Sequence, residues 1–505
     1  MTEPPSFVLS RWLFLRLLGV VYAVAFASLG LQIVGLVGAH GVLPAAQLLQ
    51  RARSMEGAGA YWQLPTLGWL GASDTALRAY VVCGVGLAVL LIAGLAPLVV
   101  LPLLWLLYLS LSVLGQTFLS FQWDALLLET TVMALVYAPP VWRERPGGDP
   151  PPPAAGRWLV WWLLFRLMFL SGITKLASGD PTWRSLTALT YHYETQPLPV
   201  WTSWYADHLP LWFQQLSALG VFTIEIGVPF LIFAPLRWRR ARLVACGVLV
   251  AFQLLIAGTG NYGFFNLLAI VLCCSLLDDA AILRAVPGRW RGRLPTGARG
   301  ASGAGAARSG GWVRLGVAAV IVVLSSVALV REIGDTIPSP RRGPTWADAV
   351  LAPVAPFRSI NGYGLFRVMT TQRLEIVIEG SADGAHWHEY PFRWKPGDVM
   401  RRPRFVAPYQ PRLDWQMWFA ALDPGSAEPW LVPLLQRLLQ GEPSVTGLVG
   451  PQTWGPLPPR YVRLAYYRYH FTTAAERRAT GAWWRRELVG YLTPAVSLAS
   501  FAPRR

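Results

Sequence analysis

The sequence "WLLFRLMFLSGITKL", residues 162–176, is an apolar run in which only Arg166 and Lys175 carry charge. It lies within a longer apolar window, 158–177, and about 20 apolar residues in a helix are enough to cross the hydrocarbon core of a bilayer. The stretch therefore predicts a membrane-spanning helix. It decides the fold class, because several other windows of the chain have the same length and texture.

The composition of the whole chain agrees with this prediction. Of 505 residues, 54% are hydrophobic and only 14% are charged, which is too apolar for an ordinary soluble protein. We predict a polytopic α-helical membrane protein of about nine helices, residues 1–331, followed by a C-terminal extramembrane β-rich α+β domain, residues 332–505. The predicted spans are 11–36, 77–95, 98–115, 119–138, 158–177, 211–234, 243–258, 262–277 and 313–331.

The basic residues indicate the orientation of the chain. The formal net charge is +17, but arginine and lysine are scattered through loops and form no stripe beside a nucleic-acid-binding module. Nucleic acid is therefore not a predicted partner, whereas the surface of membrane lipids is. Arginine-rich loops, which are retained in the cytoplasm, begin at residues 143, 237 and 284. With nine spans these loops share one side with the N-terminus, and the chain after residue 331 lies on the other side.

Four polar side chains in or beside the apolar windows are candidate intramembrane polar residues. They are Gln122, Asp124, Glu129 and Asn261. A carboxylate inside a membrane segment costs on the order of a few kcal/mol, so it normally faces a partner or a water-filled interior. For the segment 119–138 two arrangements are open. It is either a re-entrant or interfacial helix whose acids reach water, or a buried helix whose acids pair with a base such as Arg166 or Lys175.

Lys175 and the loop that follows it form the candidate catalytic set. Lysine, unlike arginine, can lose its proton when it is desolvated, and it can then act as a base. Lys175 is either a lysine that reaches from a helix end to the interface or a functional amine that faces a loop carrying His192 and Glu194.

The region after residue 331 has no apolar run long enough to span a membrane. Alternating residues predict a strand over 374–379, an Asp-Gly turn, a second strand that ends at 394, and a further strand over 460–471. Helices are predicted over 413–422 and 430–440. We expect a small sandwich, or a single sheet with inserted helices.

This outer domain carries no recognisable catalytic motif. His386 and His388 would share a face if both lay in one strand, but no third metal ligand follows at motif spacing. The four cysteines of the chain lie in apolar segments and form no Cys-x-x-Cys pattern. These patterns predict no metal site. Phosphate-binding and dinucleotide-binding motifs are also absent from the sequence, so no cofactor is predicted.

The segment 395–422, "KPGDVMRRPRFVAPYQPRLDWQMWFAAL", gathers arginine, proline and tryptophan. Arginine suits phosphate headgroups and indole suits an amphipathic seam, so we predict that this segment docks the outer domain on the membrane helices. The candidates for headgroup contact or for ion pairs are Asp398, Arg401, Arg402, Arg404, Arg412 and Asp414, and the predicted helix anchors are Trp415, Trp418 and Phe419. The alternatives are an ordinary core with an exposed basic rim, and an exposed tryptophan surface that binds a client.

Five motifs, in order along most of the chain, closely resemble the lipase maturation factor family. They are "GQTFLSFQWDALLLET" (115–130), "SGITKLASGDPTWRSLTALTYHYETQPLP" (171–199), "TGNYGFFNLLAI" (259–270), "INGYGLF" (360–366) and the segment 395–422. The resemblance implies a polytopic membrane protein, in eukaryotes of the endoplasmic reticulum, whose lumenal C-terminal domain helps dimeric lipases reach an active fold. It implies a folding factor with an unfolded secreted client, not an enzyme of known chemistry.

The arginine-rich, asparagine-poor composition is typical of a bacterial member of such a family. We then expect the bacterial inner membrane, with the C-terminal domain in the periplasm. The fragment "FLSGITKL", followed by Trp183, is also similar over a short stretch to the membrane helices of the vitamin K-dependent carboxylases, where a lysine near this position serves as base. The alternative function is therefore an integral membrane enzyme that uses Lys175 as a base.

Overall fold

The computed structural model describes residues 5–288, 306–338, 343–425, 428–450 and 457–501. The helices of nine or more residues are α1 (Val8–Gly30), α2 (Ala45–Glu56), α3 (Asp74–Ala93), α4 (Pro97–Leu114), α5 (Gln122–Tyr137), α6 (Ala154–Ala177), α7 (Leu211–Phe222), α8 (Arg239–Thr259), α9 (Phe265–Cys274), α10 (Ala306–Thr336), α11 (Arg412–Leu422) and α12 (Leu431–Leu439). Shorter helices are Ile33–Val37, Ala60–Gln63, Pro181–Arg184, Leu189–Thr195, Trp201–Asp207, Asp279–Ala285, Trp346–Leu351, Pro443–Thr446 and Ala474–Thr480.

Seven helices among the described residues are long and apolar enough to cross a membrane. They are α1, α3, α4, α6, α8, the segment Leu211–Phe233 that begins with α7, and the part of α10 from Gly311. A bent pair, α9 with Asp279–Ala285, makes an eighth candidate if it is one span. The polytopic helical fold is confirmed, but the count of nine spans exceeds what these residues show.

The difference between the predicted and the observed number of spans lies mainly in the acid-bearing segment 119–138. Its helix, α5, has 16 residues, because a 3-10 turn at Gln116–Leu119 delays the helix until Gln122. Neighbouring helices bury most of α5. A helix that meets protein along its length does not have to match the thickness of the lipid, so the sequence window overestimated its length.

The helices meet in loops at two opposite ends of the bundle. At one end, α3 stops at Gly94, whose φ of 77° is left-handed, and α4 starts at Pro97. The amide of Ala96 donates to the carbonyl of Trp142 (2.7 Å), which joins this turn to the loop between α5 and α6. The N-terminal part of α1 reaches the same loop through the ion pair of Arg16 with Glu144.

The loop between Phe233 and α8 also lies at this end, where Arg239 pairs with Asp278. Two of the three predicted arginine loops, those beginning at Arg143 and Arg237, therefore lie at the end that holds the start of α1. The third, 284–310, lies largely outside the described residues. The C-terminal part of the chain contacts the opposite end.

The outer part contains one antiparallel sheet, in the order β2-β1-β3-β4. Its strands are β1 (Arg373–Ser381), β2 (His388–Glu389), β3 (Tyr461–Phe471) and β4 (Trp484–Tyr491). The predicted strands over 374–379 and 460–471 correspond to β1 and β3. The second predicted strand is only two residues long, β4 was not predicted, and the described residues form a single sheet and not a sandwich.

One hydrophobic core runs through both parts of the molecule. It joins Phe118 and Phe121, next to α5, to Trp415 on α11 and Trp430 before α12. α11 packs on β1 at the same time, so it is the element that connects the sheet to the membrane helices.

Candidate functional site

The first ion pair of the site joins α5 to α11. The two guanidinium nitrogens Nη1 and Nη2 of Arg412 donate to Oδ2 and Oδ1 of Asp124, both at 2.9 Å. The hydroxyl of Tyr108 donates to the same carboxylate (2.5 Å), and Arg412 also donates to the carbonyl of Phe118 (2.7 Å). Asp124 is 1% exposed and Arg412 0%. Such a two-point pair fixes orientation as well as distance.

The second buried acid of α5 has a different set of partners. Glu129 pairs with Arg166 of α6, and the hydroxyl of Tyr363 donates to its Oε2 (2.6 Å). The backbone and side-chain amides of Asn361 donate to the same oxygen, at 3.1 and 3.0 Å. Arg166 in turn donates to the carbonyl of Asn361 (3.0 Å). The motif at 360–366 is thus bound by this pair.

Of the two arrangements left open for segment 119–138, the structure contains paired burial. Asp124 and Glu129 are five residues apart, about 140° around a helix, and this separation directs them to different partners. Arg166 is the partner of Glu129, whereas Lys175 is the partner of neither acid.

Uncharged polar side chains of the membrane part hold the backbone of segment 404–412. Asn261 donates through Nδ2 to the carbonyl of Arg404 (2.8 Å) and accepts from the amide of Val406 (2.8 Å). Gln32 accepts from the amide of Arg412 (2.9 Å), and Ser28 accepts from that of Gln410 (2.9 Å). These contacts satisfy backbone groups that would be costly to bury unpaired.

Gln122 makes a weaker contact of the same kind, accepting from the amide of Gly364 at 3.4 Å. The sequence had singled out Gln122 and Asn261, but not Gln32 or Ser28. All four are polar residues inside or directly beside a predicted span, and that signal would have found the other two.

The predicted tryptophan anchors lie in this interface. The ring of Trp415 lies 4.9 Å from that of Trp123 and 5.5 Å from that of Phe121. The indole of Trp418 donates to the carbonyl of Thr195 (2.9 Å). Both indoles are buried, whereas Phe419 is 39% exposed.

The charged candidates of segment 395–422 do not pair with one another as predicted. Asp414 accepts the backbone amides of Trp394 (3.0 Å) and Lys395 (2.9 Å), and burial raises the pKa of its carboxyl to about 6. Arg401 donates to the carbonyls of Phe392 (2.5 Å) and Lys395 (2.6 Å). Backbone groups at hydrogen-bonding distance take the place of the predicted partners.

The remaining charged candidates lie at the surface. Asp398 accepts from the amide of Met400 (2.9 Å), and Arg402 stacks over the ring of Trp201 at 4.6 Å. The side chains of Arg402 and Arg404 are exposed. Headgroup contact by these two arginines stays a prediction.

A buried charge cluster in the outer part was missed by the sequence reasoning. Glu375 of β1 pairs with Arg373 (2.6 Å) and Lys395 (2.7 Å), and all three are almost fully buried. Glu375 and Arg373 are two residues apart in a strand and so share a face, which was the available signal.

Lys175 does not extend from its helix end towards the membrane–water interface. It is 5% exposed, and its Nζ donates to Oε2 of Glu225 (2.8 Å) and to the carbonyl of Ser171 (3.0 Å). Glu225 lies in a π-helical turn, Thr223–Gly227, that follows α7. It is an acid inside the predicted span 211–234, the same signal that had drawn attention to Asp124.

The structure separates the other two members of the candidate catalytic set. His192 lies in the same cavity wall as Lys175, and its Nε2 is 3.1 Å from the hydroxyl of Tyr262. Burial, and to a smaller extent the charge of Lys175, lowers the pKa of His192 to about 4. Glu194 faces the outer part instead, where it accepts from the amide of Phe471 (2.7 Å).

His386 and His388 do not lie together on one strand. His386 lies in the turn before β2, where its Nδ1 is 2.7 Å from Oδ2 of Asp383, and only His388 belongs to the strand. In the described part of the chain no group of three His, Cys, Asp or Glu residues is placed to hold a metal ion.

Comparisons with known proteins cover both the membrane helices and the C-terminal part that packs on them. The model of the lipase maturation factor transmembrane domain matches residues 9–284, and that of the lipase maturation factor C-terminal domain matches residues 359–494. Lipase maturation factor 2 of Homo sapiens is 39% identical, over 97% of this chain and 83% of its own length. Lipase maturation factor 1 of Bos taurus is 34% identical, over 97% and 90% respectively. No solved structure matches.

Positions 124 and 412 lie within the two matched ranges. The matches agree with the resemblance of the five motifs and give no support to the enzymatic alternative, in which Lys175 acts as a base. The chain belongs to the lipase maturation factor family.

Proposed function

We propose that this protein is a membrane-tethered maturation factor that assists the folding or assembly of secreted proteins, with lipases among its clients. The relatives are named for the maturation of lipases, and both family models match this chain in order. The observation that carries the proposal is the buried network between α5 and α11, because it holds the outer domain in a fixed position above the membrane. A client that emerges from the membrane would meet a rigid surface there.

The proposal divides the chain into a transmembrane domain, 1–331, and an extracytoplasmic domain, 332–505, and places the latter in the periplasm of a bacterial cell. Its support is the position of the loops that begin at Arg143 and Arg237, which lie at the end of the bundle opposite the outer domain, since arginine-rich loops are retained in the cytoplasm.

Reporter fusions test this orientation. Alkaline phosphatase fused after Arg505 should be active, because the enzyme matures in the periplasm, and the same reporter fused within 284–310 should be inactive. The reverse pattern would place the outer domain in the cytoplasm and contradict the proposal.

For the client we propose the outer edge of β4. This strand is last in the sheet order, and its ladder within the described residues is with β3. Leu488, Val489 and Tyr491 are 44%, 49% and 50% exposed. An edge strand with exposed apolar side chains offers backbone donors and acceptors to an extended segment of an unfolded chain.

Maturation itself is tested in a host that lacks its own lipase maturation factor and secretes a dimeric lipase. Expression of this chain should raise the lipase activity per mass of secreted lipase. A photo-crosslinking residue at position 489 should capture the unfolded lipase, and the same residue at position 247 in α8 serves as the control. Unchanged specific activity together with equal capture at both positions would refute the proposal.

A further inference from the structure

A cavity of about 450 Å³ lies between α6, α7 with its π turn, and α8. Its wall is mainly apolar and includes Phe213, Ile224, Phe252, Leu255 and Phe265. The volume is within the range of small-molecule sites, which are typically about 300–1,000 Å³. This cavity is separate from the Asp124–Arg412 pair.

The helices that line the cavity leave apolar side chains exposed. Only 22% of the apolar window in Leu211–Phe233 and 33% of that in α8 is buried, compared with 78% in α6. Two residues that line the cavity, Phe213 and Leu255, are 40% and 67% exposed. Because exposed apolar side chains on spanning helices meet acyl chains, a molecule can enter this cavity sideways from the bilayer.

One wall of the cavity is polar. Lys175 and Glu225 contribute to it as a pair at 2.8 Å, and each is at least nine-tenths buried. His192 and the hydroxyl of Tyr262 lie in the same wall. The pair is neutral as a whole, and the low pKa of His192 keeps its imidazole uncharged at neutral pH. This wall therefore offers hydrogen bonds without a net charge.

The close packing that builds this wall depends on Gly172 of α6. A Cβ at this position would lie 2.6 Å from Cγ1 of Ile226 and 2.9 Å from Cβ of Glu225, so glycine lets the π turn approach α6. π turns within helices occur frequently at functional sites. A segment of the outer part closes the cavity, since Phe366 packs on His192 with ring centroids 4.9 Å apart.

A buried ion pair in a membrane segment is costly and marks functional sites more often than stability. We propose that this cavity binds an uncharged acylglycerol from the bilayer, with its acyl chain between α7 and α8 and its hydroxyl or ester group at Lys175, Glu225, His192 and Tyr262. A fatty acid or an anionic phospholipid would add a net charge beside Glu225. The proposal goes beyond the maturation function and does not depend on it.

The test uses the full-length protein in nanodiscs of zwitterionic phospholipid and a monoacylglycerol whose acyl chain carries a photoreactive diazirine. Peptide mapping after irradiation should find the label on residues that line the cavity. Gly220 lines the cavity and a Cβ there would meet no atom within 4 Å, so Gly220→Phe introduces a bulky side chain at the cavity wall from an uncrowded position of the backbone. Labelling should fall about tenfold or more, because the acyl chain loses its apolar contacts.

Gly247→Phe is the matched control. A Cβ at Gly247 would also meet no atom within 4 Å, but this residue lies on α8 outside the cavity, so labelling should stay at the parent level. Competition on the parent chain needs no variant: unlabelled monoacylglycerol should displace the probe, and an equal concentration of fatty acid or anionic phospholipid should not. Equal labelling of the two glycine variants, label outside the cavity, or equal displacement by the charged lipids would overturn the proposal.

Discussion

Asp124–Arg412 and Lys175–Glu225 are both buried ion pairs at helices of the membrane part, but their surroundings differ. The carboxylate of Asp124 accepts three hydrogen bonds, and its arginine partner comes from the outer domain. The pair of Lys175 with Glu225 joins two elements of the membrane part and borders an open cavity. A pair whose carboxylate is enclosed by donors from both parts of a protein holds those parts together, whereas a pair that borders free volume can meet a ligand.

The largest effect is expected when the first pair is broken. Arg412→Ala leaves the Asp124 carboxylate buried without its partner, which typically costs about 3–5 kcal/mol. The outer domain should then be cleaved by protease much faster in vesicles, while membrane insertion is retained. The double variant Asp124→Ala/Arg412→Ala should be less damaging than the sum of the two single variants. Additive effects would show that the two side chains act independently.

The next effect concerns the apolar side of the same interface. Trp415→Ala removes a buried indole that packs edge-on against the stacked rings of Phe121 and Trp123, a change that typically costs about 3 kcal/mol or more. Protease resistance of the outer domain should fall, and lipase maturation should fall with it. Phe419→Ala is the matched control, because Phe419 is adjacent on α11 but partly exposed. A Trp415→Ala protein as resistant as the parent would contradict docking by this helix.

Asp414 in the outer domain and His192 beside the cavity should contribute oppositely to the pH dependence of the stability. The folded pKa of Asp414 is raised from 3.8 to about 6, so its contribution to stability is present below pH 4 and is lost as the pH rises to 6. The folded pKa of His192 is lowered from 6.5 to about 4, so its contribution is present above pH 6.5 and is lost as the pH falls to 4.

Thermal unfolding in detergent between pH 4 and 6.5 measures these contributions. Compared with the parent, Asp414→Asn should lose relative stability towards the acid end of this range, and His192→Gln should gain it. The same slope in both variants would show that other groups dominate the pH dependence.

A smaller effect on docking is expected from the second pair. Lys175→Met leaves Glu225 without its base, and the acid can respond by taking up a proton. Since Lys175 hydrogen-bonds to Ser171 and Glu225 within the membrane part, the protease resistance of the outer domain and the maturation of the lipase should stay near the parent level. A complete loss of function with docking intact would instead favour a chemical role for this amine.

The smallest effect is expected at the exposed rim. Arg404→Ala should change stability by less than about 1 kcal/mol, because its side chain is exposed. If Arg404 meets lipid headgroups, the affinity of the isolated peptide 395–422 for anionic vesicles should fall by about 1 kcal/mol, and its affinity for neutral vesicles should not change. Equal affinities of the variant and parent peptides would exclude the headgroup contact.

Much of the local structure was predictable from the sequence. The predicted windows 11–36, 77–95, 98–115 and 158–177 correspond to the helices α1, α3, α4 and α6, because each window is long enough to require a helix in lipid. The alternation in 374–379 correctly predicted the strand β1, but both faces of this strand are buried in the folded chain, because Glu375 pairs with Arg373 and Lys395. The arginine loops also indicated two different ends of the bundle.

Partner choice could not be predicted in the same way. Asp124 and Glu129 looked equivalent in the sequence, and Arg166 and Lys175 were equally plausible bases for them. Only the packing of α5 between its neighbours assigns Glu129 to Arg166, and it assigns Asp124 to a residue 288 positions away. The strand β4 was missed because its pairing with β3, and not its own hydrophobic pattern, makes it a strand.

The sequence by itself thus determined most of the segments that can cross a membrane, because that property depends on the length and polarity of each segment taken alone. The tertiary structure alone decided which buried charge docks the outer domain and which borders a cavity. The physical reason is that the energy of a buried charge depends on the distance and number of its partners, and folding brings those partners from distant parts of the chain.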